Sequence, residues 1–293
     1  MSSPETPAAP EAQPEDPGTQ SGAIIAGRYR VEKLLGEGGM GAVYLVQHTG
    51  IRKRLALKLL RSDLLAVPAV LSRFEREAMA AAHLDHPNVA AATDYGRTEG
   101  GRFYLVLEYV EGQELRAALD KEKGPLPLAR ALFIVRQIAS ALARAHEIGV
   151  VHRDLKPENI MLVQRAGHGD FVKVLDFGLA QVPRRITEEP LEDPSQETSA
   201  SKISKLTKVG DIFGTPAYMA PEQTIGQNTD VRTDLYSLGI ILYELLAGVR
   251  PFLGKSMLVL MQQHLSTPPP PLSESAPTTK IPAEVEALVQ RLL

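Results

Sequence analysis

Four residues in this chain have the types and spacing that phosphate chemistry needs. In Val150-Val151-His152-Arg153-Asp154-Leu155-Lys156-Pro157-Glu158-Asn159, an aspartate is followed by a lysine two residues on and an asparagine five residues on, with Pro157 stiffening the turn. A carboxylate can take a proton, an ammonium can hold a phosphate, and an amide oxygen can bind a hard metal ion. Further on, Asp176-Phe177-Gly178 supplies a second carboxylate. Two apolar residues lead into the loop and Ile160-Met161-Leu162-Val163 lead out, so a polar loop is held between buried segments. Segments 160–163 and 171–175 read as a hairpin around the loop Gln164–Asp170, which carries Gly167 and Gly169. That hairpin would return Asp176 to the side of Asn159, where the two oxygen ligands can share Mg²⁺.

Positioning these groups requires a scaffold, and the upstream sequence offers strands. Arg28–Leu35 reads as a strand, followed by Gly36-Glu37-Gly38-Gly39-Met40-Gly41. A dinucleotide-binding fold would place a helix after the last glycine, but Ala42–Val46 is strand-like, and no Gly-Lys-Ser/Thr of an NTPase loop follows. The glycines therefore cap a hairpin, where missing side chains let backbone N–H groups approach phosphate oxygens. Leu55–Leu60 is a third strand with Lys58 among apolar neighbours, and Ala69–His83 is a helix whose apolar face is Leu71, Phe74, Ala78 and Ala81. Glu77 lies on the edge of that face, where a carboxylate is costly unless paired. His83 and His86, near Pro87, read as surface or capping residues. Phe103–Val110 is an apolar strand running into Glu111-Gly112.

Downstream, apolar residues at 128, 132, 135, 138, 142 and 145 mark Leu128–Ile148 as an amphipathic helix ending at Gly149. Leu235–Ala247 is apolar almost all round, a helix for the middle of a lobe, and Asp234 would open it and hold the polar loop's backbone. The segment Gln181–Phe213 is long and polar, with an acidic half at Glu188–Glu197 and a basic half at Lys202, Lys205 and Lys208, and closes on Gly214-Thr215-Pro216-Ala217-Tyr218-Met219-Ala220-Pro221-Glu222.

Composition narrows the classes. A net charge of −3 gives no reason to expect nucleic acid, and the absence of cysteine excludes disulfides, thiolate zinc sites and a catalytic thiol. The apolar run Leu238–Leu246 is interrupted by Tyr243 and Glu244 and is too short for a bilayer. The first 27 residues lack a basic side chain and an apolar core, so they are not a signal peptide, and residues 1–22 read as a disordered Pro/Ala/acidic tail.

In this order the motifs resemble the protein-kinase family, in particular the bacterial eukaryotic-like Ser/Thr kinases, from about Tyr29 to Leu293. The resemblance implies an α+β bilobal fold: a small antiparallel sheet lobe with one main helix (about 28–107), a hinge (108–112) and a larger, mostly helical lobe (113–293), the whole domain spanning 23–293. It implies transfer of the γ-phosphoryl of ATP to protein Ser/Thr hydroxyls, with Mg²⁺, replaceable by Mn²⁺, in a cytoplasmic domain. Asp154 would orient the hydroxyl proton, Lys156 would steady the γ-phosphate, and Asn159 and Asp176 would hold the metal. Lys58 would hold the α/β-phosphates and pair with Glu77. Gly36, Glu37, Gly38, Gly39, Met40 and Gly41 would cover the phosphates. Val43 and Ala56 would enclose the adenine behind a Leu107 gatekeeper, the backbone of Glu108 and Val110 would bond its edge, and Glu114 would meet the ribose. A scaffold without catalysis would have lost one of Lys58, Asp154, Asn159 or Asp176, and all four stand in place. A small-molecule kinase would lack the Ala-Pro-Glu segment.

Three finer expectations follow from the same resemblance. Glu158 and Glu114 match positions that face basic residues before the acceptor. Residues 176–222 form an activation segment, with Thr207 its leading phosphorylation site and Ser204 second, modified by a second copy of the chain. A phosphate on Thr207 would add about two negative charges, bond the Arg153 guanidinium and order the substrate platform Gly214–Tyr218. Finally, the family pairs the Ala-Pro-Glu glutamate with an arginine in a later helix, which this chain does not reach. The expectation is a slice of a longer protein in which any membrane segment lies beyond residue 293, unless Glu222 finds another partner.

Overall fold

The computed structural model describes residues 19–38, 41–165, 168–177, 216–276 and 280–293, with backbone alone at 69, 70, 73, 76, 77 and 168. Six antiparallel strands open the chain: β1 (Ile24–Ile25), β2 (Tyr29–Gly38), β3 (Gly41–His48), β4 (Arg54–Leu60), β5 (Ala92–Arg97) and β6 (Phe103–Glu108), in the order β1-β2-β3-β4-β6-β5. Alternation sorts β4 cleanly. Leu55, Leu57 and Leu59 enter an apolar interior with Tyr29, Val31, Tyr44, Val46, Tyr104 and Val106, while Ala56 and Lys58 keep half-buried side chains on the other face. The sheet is so curled that Tyr29 on β2 donates to Asp94 on β5 across three intervening strands, at 2.5 Å, and Arg28 reaches the same carboxylate at 3.0 Å. Helix α1 (Pro68–Ala82) starts on a proline, as suits a first helical turn, and packs Phe74 and Ala78 against Leu60, Phe103 and Leu105.

The second part is helical around one small sheet. It contains β7 (Gln113–Glu114), α2 (Leu115–Glu122), α3 (Leu128–Glu147), β8 (Ile160–Arg165), β9 (His168–Val174), α4 (Pro221–Thr224), α5 (Val231–Ala247), α6 (Met257–Ser266), α7 (Leu272–Ser275) and α8 (Ala283–Leu292). Helix α5 is buried on nearly every side from Thr233 to Ala247 and forms the axis against which α3 and α8 pack.

Three boundaries depart from expectation. Residues 21 and 22, placed in the tail by composition, are fastened along β2: the Gly22 N–H donates to the Val31 carbonyl and the Ser21 hydroxyl to that of Glu32. The hairpin is longer than its turn residues suggested, since β8 and β9 stay paired out to Arg165 and His168. Asp234 does not open its helix. Asp230 does, accepting from the Arg232 N–H at 2.8 Å, which frees Asp234 one turn inside for another task.

One junction ties the two parts together besides the hinge. The Ala90 N–H donates to the Val174 carbonyl (2.9 Å) and the Val174 N–H to the Asn88 carbonyl (2.8 Å), so residues 88–90 run along β9. Buried Gln137 of α3 completes the joint: Oε1 accepts from Asn88 Nδ2 and the Val172 N–H, both at 3.0 Å, and Nε2 donates to the Asp170 carbonyl at 3.0 Å. A buried amide with its acceptor and donor both engaged fixes the joint in one geometry.

Candidate active site

The polar loop is held from below by a carboxylate with no solvent exposure. Asp234 accepts from the His152 and Arg153 backbone N–H groups, each at 2.8 Å, and from His146 Nε2 at 2.7 Å. Those bonds hold Arg153 at a φ of 65°, a left-handed conformation that an ordinary residue adopts only when its surroundings impose it. His152, wholly buried, links the loop forward: its Nε2 pairs with the Leu175 carbonyl at 2.8 Å and its ring lies 4.8 Å from Phe177. Loop and Asp176 strand end are thereby one unit, closed by the Leu175 N–H on the Asn159 carbonyl at 2.8 Å.

On this base the reactive groups converge. Lys156 Nζ stands 2.8 Å from Asp154 Oδ2. Asn159 Nδ2 donates to the Asp154 carbonyl (2.8 Å) and to its Oδ2 (3.2 Å), which commits the amide nitrogen to the aspartate and leaves the amide oxygen for a cation. Asp176, at a φ of 54°, faces across the cleft to Lys58, with 3.6 Å between Nζ and Oδ1. Glu77 lies on the α1 backbone, but its side chain is outside the described residues, so Asp176 is the described acid partner of Lys58. Gly39, Met40, Gly178, Ser204, Thr207 and Thr215 also lie outside them.

The cleft roof follows from strand register. Val43 pairs with Lys58 and Gly36, and Ala56 with Leu107, so Val43, Ala56, Lys58 and Leu107 share one face. The Glu108 N–H is taken by the Ala91 carbonyl at 2.8 Å, and its side chain by Lys173 at 2.7 Å. Its carbonyl is the group it can offer an adenine edge. Glu114 precedes α2, exposed, directly opposite Met161 of β8. Met161 escaped the sequence reading. It is half-buried, points away from the core side of Ile160 and Leu162, and shares its face with Lys173, which reaches the hinge. An apolar residue on the non-core face of a strand was the available signal.

The glycines divide by what surrounds them. A Cβ on Gly41 would sit 2.0 Å from the Leu59 carbonyl oxygen, whereas at Gly36 and Gly38 it would meet nothing within 4 Å. The fold needs Gly41, and the open space beside Gly36 and Gly38 suits a ligand. Gly38→Ala is therefore expected to change stability by less than about 0.5 kcal/mol while raising the KM for nucleotide, and Gly41→Ala to destabilise by about 1–3 kcal/mol or more. Thermal melts beside nucleotide titrations check both.

Glu222 has a partner within the chain: the Thr233 hydroxyl donates to its Oε1 at 2.5 Å. The residues on either side are fastened too: Gln223 Nε2 donates to the Arg153 carbonyl of the polar loop and the Ser237 hydroxyl of α5 to that of Tyr218, each at 2.8 Å. Buried Glu244 accepts from Arg116 (2.9 Å) and Tyr218 (2.5 Å), and burial together with that carboxylate pushes the phenol's pKa far up. His83 Nδ1 pairs with the Met79 carbonyl one turn back, a capping bond, whereas His86 Nε2 reaches Ser140 of α3, a contact across the fold rather than a local cap.

Among the described residues no group of three His, Asp or Glu side chains gathers to form an all-protein metal cage. One carboxylate and one amide oxygen fit instead a small hard ion that takes its remaining ligands from phosphate and water. A two-part fold with a glycine-capped strand pair over the Lys58/Asp176 cleft, and Asp154 beside Lys156, has the layout that nucleotide-dependent phosphotransferases share.

Comparison gives the family. Residues 29–293 match the protein kinase domain, and the chain belongs to the protein kinase family. It is 44% identical over 272 residues to the Ser/Thr-protein kinase pkn3 of Myxococcus xanthus, covering 93% of this chain and 47% of that protein. It is 37% identical over 260 residues to the Ser/Thr-protein kinase PknA of Mycobacterium tuberculosis, covering 87% of this chain and 55% of that one. The chain thus spans about half the length of these curated relatives. A crystal structure of the Mycobacterium tuberculosis PknI kinase domain superposes with a TM-score of 0.65 at 31% identity, covering 94% of this chain and 90% of that one. By family this is a protein kinase domain, a family that generally uses ATP and a divalent metal, and its curated relatives are Ser/Thr-protein kinases. Among the described residues no helix is long and apolar enough to cross a membrane.

Proposed function

We propose that this chain transfers the γ-phosphoryl group of MgATP to Ser and Thr hydroxyls of proteins. The observation that carries the reading is the shared geometry of Asp154, Lys156 and Asn159, with Asp176 returned beside them and facing Lys58. Asp154 takes the hydroxyl proton as the acceptor oxygen bonds to the γ-phosphorus, the bridging O–P bond breaks, and ADP leaves with its electron pair. Lys156 follows the charge on the moving phosphoryl, and Lys58, which faces Asp176, grips the α/β-phosphates. A divalent ion held by Asn159 and Asp176, Mg²⁺ in preference with Mn²⁺ as a substitute, would neutralise the phosphate oxygens. Gly36 to Gly41 cover the phosphates, Val43, Ala56 and Met161 enclose the adenine against the Glu108 and Val110 backbone, and Glu114 meets the ribose. Dependence on ATP puts the domain on the cytoplasmic side.

Incubation with labelled ATP, alone and with a generic basic protein, tests the reading. Label on Ser and Thr is expected. Nucleotide binding without transfer, or transfer only to a small molecule, would replace it with a scaffold or a small-molecule kinase.

Substrate choice is part of the proposal. Among the described residues Glu158 Oε2 is enclosed without a hydrogen-bond partner, whereas the nearby acid Glu244 is committed to Arg116 and Tyr218. An unsatisfied buried carboxylate oxygen is a costly state that a cationic side chain of the acceptor would relieve. A peptide array should show Arg or Lys enriched N-terminal to the phosphorylated residue, and Glu158→Gln should flatten that preference. An array with no such enrichment rules the assignment out.

A further inference from the structure

Below Pro216–Tyr218, the turn that leads into α4, lies a buried histidine that the chemistry above does not use. His264, in the last turn of α6, is only 5% exposed. Its ring meets Phe252 edge-on at 4.9 Å and Tyr236 of α5 at 5.7 Å. Nδ1 is 2.7 Å from the Tyr236 hydroxyl. Nε2 is enclosed and makes no hydrogen bond of good geometry among the described residues, although the Pro216 carbonyl is near enough to the ring to favour its proton. That carbonyl is itself weakly used, by the Met219 N–H at 3.4 Å.

The protonation state follows from the surroundings. Burial, with Arg250 nearby, lowers the pKa to about 4, so the ring is neutral near pH 7. A neutral imidazole has one donor and one acceptor nitrogen. With the Tyr236 hydroxyl donating to Nδ1, the proton belongs on Nε2, facing Pro216. A donor sealed from water beside an underused carbonyl is an incomplete bond, and a small movement of the turn would complete it. The turn also bonds to α5, where the Ser237 hydroxyl donates to the Tyr218 carbonyl, and α4, which follows it, bonds to the catalytic loop through Gln223 and Arg153.

We infer that His264 is a positioning residue for the protein acceptor: its Nε2–H closes onto the Pro216 carbonyl when the acceptor chain lies against Pro216–Tyr218, fixing that seat from below. The inference rests on the kinase reading and deepens it. It separates His264 from the phosphate-handling groups, so acceptor and nucleotide should respond differently to its loss.

Steady-state kinetics of the 293-residue chain test it, with ATP and the best acceptor peptide from a Ser/Thr array varied separately. His264→Leu fills the space without an N–H. It should raise the acceptor KM by about 10-fold or more and leave the ATP KM unchanged. His264→Gln, which keeps a donor of similar reach, should restore most of the loss. Tyr236→Phe frees the Nδ1 side, should give part of the effect, and should add nothing to His264→Leu. Should His264→Leu fail to fold, Tyr236→Phe alone decides: an acceptor KM within twofold of wild type overturns the inference. So does an acceptor KM within twofold in His264→Leu itself, or acceptor and ATP constants rising together with glutamine no better than leucine. If Asp154→Asn modifies the peptide as well as wild type, the kinase reading falls first and the inference with it.

Discussion

Asp154→Asn is expected to bind ATP as well as wild type and to turn over about 10²–10⁴-fold more slowly. The asparagine fills the same space beside Lys156 and Asn159 but cannot accept the acceptor's proton, and Asp154 itself is assigned to the acceptor rather than to the nucleotide. Asp176→Ala should behave differently. It removes the carboxylate that faces Lys58 across the cleft and would ligate the ion on the phosphates, so metal-dependent nucleotide binding itself should fail. Titration of a fluorescent ATP analogue with and without Mg²⁺, beside turnover on a basic acceptor, separates the two variants. More than about a tenth of wild-type turnover in Asp154→Asn would show that this aspartate is not the base.

The second large effect is expected at Asp234, which touches no substrate. Its carboxylate satisfies two backbone N–H groups of the catalytic loop and His146, all in a dry interior. Bonds to a charged acceptor contribute about 1.5–3 kcal/mol each, so Asp234→Ala should lower stability by roughly 3–5 kcal/mol, a large fraction of what a domain has. The surviving folded protein should also be slow, by about 100-fold, because the left-handed backbone at Arg153 loses the bonds that enforce it and Asp154 moves with it. Asp234→Asn should fall between, since one amide oxygen can serve only one of the two N–H groups well. Urea unfolding and turnover measured well below the melting point check the pair. A wild-type unfolding midpoint in Asp234→Ala would remove the argument.

The sequence made local things legible. Alternation in Leu55–Leu60 located the strand and the face of Lys58. The 3.6-residue spacing of Phe74 and Ala78 placed α1 against the sheet. The loop motif put Asp154, Lys156 and Asn159 on one loop, and the hairpin pattern after it predicted that Asp176 returns beside them. Long-range contacts stayed hidden. Nothing near Tyr29 announces Asp94, because their meeting depends on the accumulated twist of the strands between them. Asp230 and Asp234 both stand near a helix start, and composition alone does not say which one caps and which turns inward. Gln137, on the buried stripe of α3, was a readable anomaly: a polar residue there must have partners, though only the fold names Asn88 and Val172.

The joint between residues 88–90 and β9 sets how the cleft can move. Its bonds anchor the chain just past α1 to the strand that ends two residues before Asp176. If the sheet and α1 swing as a lever, these bonds put the fulcrum beside Asp176 rather than at the hinge. Swinging the lever carries Lys58 while Asp176 stays with the fulcrum, so the 3.6 Å between them is the gauge of the stroke. A force on the exposed outer side of α1, where Met79 stands 63% uncovered, would register first as a change in that separation.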